Sequence, residues 1–208
     1  MNGTLIDVSA VPDFTGRRAG KEFEDIVKKR MDDESDSQNV CIDRSGVKAA
    51  IRERRDDGTV VAQVMKSRVD FDGLLPAGRA FDFDCKVCSG ASFPLNQYRE
   101  DIGTKSKTNQ MEYLMRRSRF RSLAGFLIHW NSRELRTKTE PAETFWFPVD
   151  QRMRFWRSFM LMDVRSINRS ACRTYGYEVR WNRRGRERNY RPDVLSLLLA
   201  LADDRRVR

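Results

Sequence analysis

An α/β fold with a mixed central sheet flanked by helices is what the sequence predicts, on three observations. Residues 79–87 (Arg-Ala-Phe-Asp-Phe-Asp-Cys-Lys-Val) alternate with period two, Leu123 to Trp130 forms a nearly unbroken apolar run of strand length, and stretches with helical spacing lie before and between them. The order is helix, strands, helix, strand, strand, helix.

Arg17 to Met31 suits a helix, with Phe23, Ile26 and Val27 on one apolar face, and the acidic run Asp32, Asp33, Glu34, Asp36 reads as a turn or solvated loop. Two β-branched runs, Val40–Ile42 and Thr59–Val64, flank a charged tip from Arg52 to Gly58, and the Asp-Gly step within it is a hairpin signal. In the 79–87 stretch, Phe81, Phe83, Cys85 and Val87 share one face, and Asp82, Asp84 and Lys86 share the other. Thr108 to Arg119 reads as a helix with Met111, Leu114 and Met115 inward, and Arg116, Arg117 and Arg119 near its end, where cations favour the macrodipole. Leu123–Trp130 is the buried strand expected next, followed by a short strand at Thr144–Val149 and an amphipathic helix around Asp150–Met160. Val194–Ala202, entered through Pro192 and Asp193, reads as an apolar helix in need of a partner, which a second subunit could supply. Trp146, Phe147, Phe155, Trp156 and Phe159 read as core or dimer interface.

The 208 residues carry 40 Lys plus Arg against 30 Asp plus Glu, a formal charge of +10, with 39% hydrophobic residues. That is enough apolar material for a real core, so a compact soluble domain with a basic surface is expected. The apolar run at 194–202 is far short of the roughly 20 residues of a membrane span, and the N-terminus lacks a secretory pattern, so a cytoplasmic location and no membrane partner are expected. Four scattered cysteines do not form a disulfide framework. With His129 as the sole histidine, chemistry built on several histidines is excluded. Hydrolytic chemistry here would run on carboxylates and lysine. Cys85 and Cys88 form a Cys-x-x-Cys, but no second pair stands at zinc-ribbon spacing.

Asp82 and Asp84 lie about 7 Å apart on one strand face and repel unless a cation or Lys86 sits among them. Asp70 and Asp72, also at period two, come toward the same place if their strand pairs with 79–87 through the Leu74–Gly78 turn. Hard oxygen donors of this kind suit Mg²⁺, which accepts one or two carboxylates and keeps several waters. A lysine two residues beyond such an aspartate points into the same space and can orient or help deprotonate an attacking water.

The spacing Asp70, then Asp84-x-Lys86, combines with Gly20-x-x-Phe23-Glu24, Val69-Asp70-Phe71-Asp72-Gly73, Phe93-Pro94-Leu95, Gln110 and Gly125-Phe126-Leu127-Ile128. This ordered set, covering roughly Arg17 to Trp156, resembles the RecU-type Holliday junction resolvases of bacteria and their phages, within the PD-(D/E)xK nuclease superfamily. The resemblance implies a restriction-endonuclease-like core acting as a homodimer that nicks opposed strands of a four-way DNA junction with Mg²⁺, or Mn²⁺ in its place, and no small-molecule cofactor. It implies Asp70, Asp84 and the Cys85 carbonyl as metal ligands, Lys86 as the catalytic lysine, Glu24 as the acid completing the site, and Gln110 as a positioning residue. It also implies a bacterial cytoplasm, or that of the host if the chain is phage-encoded. Residues 1–160 would form the nuclease core, with a short stalk-like insertion at about 40–68, and 161–208 a basic C-terminal extension ending in an apolar helix. Two departures stand out: Val69 replaces the superfamily's proline, and Asp84 replaces the usual glutamate.

Residues 152–191 hold twelve arginines against three acids, interleaved with Trp156, Tyr175, Tyr177, Trp181 and Tyr190, a composition suited to phosphate contact with stacking on bases or sugars. Candidate DNA contacts are Arg17, Arg18, Arg54, Arg55, Arg180, Arg183, Arg184, Arg186 and Arg188. Two other readings remain open: a related nuclease acting on duplex or single-stranded DNA, and a catalytically silent DNA-binding protein.

Overall fold

A computed structural model describes residues 11–44, 48–54, 60–65, 69–99, 105–161, 164–182 and 190–204. Six strands build the central sheet: β1 (Cys41–Arg44), β2 (Phe71–Leu74), β3 (Ala80–Cys88), β4 (Leu123–Trp130), β5 (Glu143–Pro148) and β6 (Tyr177–Glu178). They lie side by side in chain order; β3 and β4 are parallel and every other neighbouring pair is antiparallel. Helix α2 (Lys105–Arg119) lies in the β3-to-β4 connection, the crossover that a parallel pair demands. The fold is therefore α/β with a mixed sheet flanked by helices.

Helix α1 spans Ala19–Ser35, starting two residues after the expected boundary and running through the acidic stretch expected to be a loop. The reason is packing. Phe23, Val27, Arg30, Met31 and Glu34 recur at helical spacing and are all buried, so the apolar stripe continues into the acids. Arg30 and Glu34 form an ion pair one turn apart with side chains 1% and 4% exposed, and Arg191 donates to Asp33 at 2.6 Å. After a 3₁₀ turn (Asp36–Gln38) the chain reverses at Asn39, whose φ of 52° is a left-handed value that asparagine tolerates.

The run at 40–42 does not join the expected hairpin. Cys41–Arg44 is the outer strand of the central sheet, paired with Phe71–Leu74. The hairpin instead pairs Lys48–Arg54 with Val60–Met65, with a bulge at Ile51/Glu53; the rest of its tip lies outside the described residues. Strands β2 and β3 pair through the Leu74–Gly78 turn as expected, Phe71 opposite Phe83 and Asp72 opposite Asp82.

The sheet is covered on both faces, which explains the unbroken apolar run of β4. Ala124, Phe126, Ile128 and Trp130 pack with Leu114, Met111, Phe147 and Trp156 on the α2 side. Leu123 and Leu127 pack with Phe23, Val27, Phe81, Phe83 and Trp146 on the α1 side. Helix α3 (Arg154–Met160) starts later than expected and buries Phe155, Trp156 and Phe159 in the first of these cores.

The C-terminal region is woven into the fold. Ser166–Asn168 pairs with Ser92–Pro94, α4 (Arg169–Tyr175) packs on β5, β6 extends the central sheet, and Trp181–Asn182 pairs with Arg191–Pro192. Helix α5 (Val194–Asp203) buries Val194, Leu195, Leu198 and Leu201 in the α1-side core. Its apolar face is satisfied within the chain, so it no longer argues for a second subunit. No helix among the described residues is long and apolar enough to cross a membrane.

Candidate active site

The period-two alternation of β3 holds, but neither of its faces is solvated. Phe81, Phe83 and Cys85 point into the α1-side core, while Asp82 and Asp84, 0% and 2% exposed, lie beneath α2. Two buried carboxylates on one strand face each need a partner, and α2 supplies different ones. Over Asp84, Gln110 donates from Nε2 to Oδ1 at 2.5 Å, and the Lys86 ammonium pairs with Oδ2. Over Asp82, the Tyr113 hydroxyl donates to Oδ1 at 2.7 Å, and Arg117 Nε (2.7 Å) and the Ser122 hydroxyl donate to Oδ2. Asp82 is thus the centre of a closed structural network and is unavailable for a ligand. Burial first, then the hydrogen bond to Asp82, push the Tyr113 pKa up, and Asp72, opposite Asp82 on β2, adds a little at the same end of the sheet.

Asp70 stands just before β2, beyond the last paired residues, Phe71 and Phe83. The Cys85 N–H therefore has no ladder partner on that side, and Asp70 Oδ2 accepts it at 2.8 Å. This one bond brings Asp70 beside Asp84 and Lys86, with the Cys85 backbone between them. The Cys85 thiol faces the opposite way, and burial first, then the charges of Asp70 and Glu24, push its pKa well above the usual value.

Lys86 reports how many charges converge. Burial lowers its pKa to about 8; Asp70 and Glu24 act to raise it, and Lys107 adds to the lowering. Glu24, on α1, is thus within electrostatic reach, yet its carboxylate pairs with Lys21 at 3.1 Å. Among the described residues no group of three or more His, Cys, Asp or Glu side chains is gathered as a metal site. Lys107 is a residue that sequence reasoning missed: it lies one turn before Gln110, donates to Gln97 and sits 5.8 Å from the Tyr98 ring centroid. Its spacing from Gln110 was the available signal.

The basic surface resolves into two kinds of arginine. Arg17, Arg18 and Arg180 are exposed. Arg54 ends a hairpin strand, and Arg55, Arg183, Arg184, Arg186 and Arg188 lie outside the described residues. By contrast Arg169, 7% exposed, donates to the carbonyls of Pro141 and Asn131, while Arg173 pairs with Glu143, Arg152 with Asp150 and Arg191 with Asp33. Part of the arginine excess therefore holds the fold together. Cys85 and Cys88, three apart on a strand, face opposite cores and form no chelating pair. His129 is fully buried, its Nδ1 2.9 Å from Thr144 Oγ1.

No protein-family model matches the chain, and no curated protein matches it in sequence.

The donor set fits a hard divalent cation. Asp70 and Asp84 offer carboxylate oxygens, Asp84 Oδ2 is buried with the Lys86 ammonium against it, and the Cys85 N–H ties Asp70 to the same strand segment. Two carboxylates with water in the remaining positions is the pattern Mg²⁺ takes. Thiols play no part, which argues against a softer metal.

Proposed function

We propose that the chain is a Mg²⁺-dependent endodeoxyribonuclease of the PD-(D/E)xK type, acting as a homodimer on four-way DNA junctions. The observation that carries the reading is the Asp84–Lys86 pair, locked by Gln110 on one side and joined to Asp70 through the Cys85 N–H on the other. The element order supports it too: a helix, three antiparallel strands, then a helix and a parallel strand is the arrangement expected of a restriction-endonuclease-like core.

Asp70, Asp84 and the Cys85 carbonyl would hold Mg²⁺, which when bound supplies Lewis-acid stabilisation of phosphoryl oxygens. The protein's own groups do the rest. Gln110 fixes the rotamer of Asp84, leaving its Oδ2 directed at the site. Lys86 Nζ, whose pKa burial lowers to about 8, stands beside Asp84 where it can orient the water attacking the phosphorus and take up its proton. The P–O ester bond breaks opposite the new bond, the departing oxygen takes a proton from a solvent water, and Lys86 later returns its proton to solvent. Exposed Arg17, Arg18 and Arg180 supply sequence-independent affinity.

A labelled four-way junction in Mg²⁺ tests this. Paired symmetric nicks are expected from the native chain. Asp84→Asn should lower the rate at least a hundredfold while junction binding persists, and a linear duplex of equal sequence should be cut far more slowly. Undiminished cleavage by Asp84→Asn ends the assignment. Junction binding with no product in either Mg²⁺ or Mn²⁺ favours a silent DNA-binding protein, and equal cleavage of the linear duplex favours a nuclease without junction selectivity.

A further inference from the structure

At the end of the sheet where β4 begins and β5 finishes there is a cavity of about 190 Å³, whose lining includes Arg79, Arg121, Arg152, Ser118, Asp150 and Tyr177. It lies at the level of the Phe81–Leu123 pair, five residues along β3 from Lys86, or roughly 16 Å from the proposed catalytic end. Its volume is below the roughly 300–1,000 Å³ of pockets that enclose a whole small ligand, so it suits a single compact group.

The lining dictates which group. Three arginines and one acid are among the lining residues, and the acid, Asp150, is already clamped by Arg152 through Nε at 3.0 Å and Nη2 at 2.7 Å. Arg79 is held in place by the last turn of α5, donating from Nη1 to the Leu201 and Ala202 carbonyls at 3.1 Å each. Arg121 differs from both: its side chain has no hydrogen-bond or ion-pair partner among the described residues. Its backbone is equally unusual, with φ at 61° just past the end of α2, where the Ser122 N–H reaches back to the Arg117 carbonyl at 3.2 Å. Such a helix-terminating position is the favoured place for glycine, and a β-carbon there is strained. The strained backbone thus places an exposed guanidinium at a cationic cavity, where an anion could meet it.

We propose that this cavity is a phosphate-binding pocket in which Arg121 is the mobile contact and Arg79 and Arg152 form the fixed wall. A tetrahedral oxyanion matches the planar donor forks of arginine, the Ser118 hydroxyl lines the same space, and the exposed Tyr177 ring offers a face to an attached sugar or base. The phosphate belongs either to a nucleic-acid backbone or to a free phosphate or mononucleotide. The inference does not depend on the chemistry at Asp84.

Calorimetric titration at low ionic strength with inorganic phosphate, deoxyadenosine monophosphate and a short single-stranded oligodeoxynucleotide separates these sources. Arg121→Gly is the informative variant, because it removes the guanidinium while relieving the backbone. It should raise Tm by about 2–4 °C and weaken phosphate binding roughly tenfold or more, a combination that misfolding cannot produce. Arg121→Asn, also compatible with left-handed backbone, should show the same loss. Saturable binding of inorganic phosphate that both variants lose identifies a free-phosphate site; binding seen only with the oligodeoxynucleotide, and weakened in both variants, identifies a backbone site. Either result carries the proposal. Unchanged affinity of both variants for every probe, or no saturable binding of any probe by the native chain, overturns it.

Discussion

His129 gives the fold a pH dependence that can be worked out from its surroundings. The imidazole is buried where β4 meets the N-terminal segment, with ring centroids of Phe14, Phe23 and Trp181 at 4.8, 5.2 and 5.7 Å. Burial lowers its pKa from 6.5 to about 4; the Asp13 carboxylate and nearby hydrogen bonds oppose the shift, and Arg169 adds to it. The unfolded chain therefore binds a proton more readily than the folded one. The stabilising contribution is complete above pH 6.5, is lost as pH falls toward 4, and changes no further below that. The whole interval corresponds to about 3 kcal/mol, of which about 2 kcal/mol should be gone at pH 5. Urea unfolding followed by tryptophan fluorescence at pH 7.5, 6.0 and 5.0 measures the slope, and His129→Asn, less stable at every pH, should lack it. Because there is only one histidine, its NMR titration is unambiguous. A folded-state midpoint near 6.5, or equal losses between pH 7.5 and 5.0 in the native chain and the variant, would refute the reasoning.

Three further substitutions probe the site and its frame. Asp82→Asn removes the charge that Arg117, Tyr113 and Ser122 converge upon, and should cost about 2–4 kcal/mol in urea unfolding. Gly125→Ala would place a β-carbon 2.8 Å from the Phe147 carbonyl oxygen and 3.0 Å from the Trp146 ring; a loss of about 1–3 kcal/mol is expected from the same measurement. Gln110→Ala deletes the donor to Asp84 at a partly exposed position, so it should change stability by less than about 1 kcal/mol and slow junction cleavage about tenfold. A rate unchanged in that variant would show that Asp84 does not need its support.

Much of the frame was legible because single elements declare themselves. The alternation of 79–87 and the apolar run of 123–130 needed no information from elsewhere, and both strands formed where expected. Element ends and satisfied faces were not legible, because they are decided by distant residues. The acids after Met31 continue a helix because Arg30 and Arg191 receive two of them, and Arg191 is 158 residues from Asp33. The apolar α5 finds its cover on α1, near the other end of the chain. The basic stretch read as surface also loses Arg169 to the interior, where backbone carbonyls and Glu143 compensate its burial.

The contrast between Asp82 and Asp84 shows where the missing information lay. In sequence they are the same residue, two apart on one strand face; Lys86 two residues on marks Asp84, but nothing local shows what neutralises Asp82. The topology does. A helix crossing between parallel strands runs antiparallel to both, so its early residues lie over late strand residues and its late ones over early strand residues. Gln110 accordingly meets Asp84, and Tyr113 and Arg117 meet Asp82. Seven residues of helix advance about 10.5 Å, and two of strand about 7 Å. One stripe of α2 can therefore serve both carboxylates, with the side chains absorbing the difference. An amide over Asp84 holds the carboxylate without neutralising it and leaves that task to Lys86 or a cation; a guanidinium over Asp82 neutralises it permanently. The order of residues along α2, Gln110 before Arg117, is thus what gives the two aspartates different partners, and under the proposed nuclease reading it leaves Asp84 as the one able to take a cation.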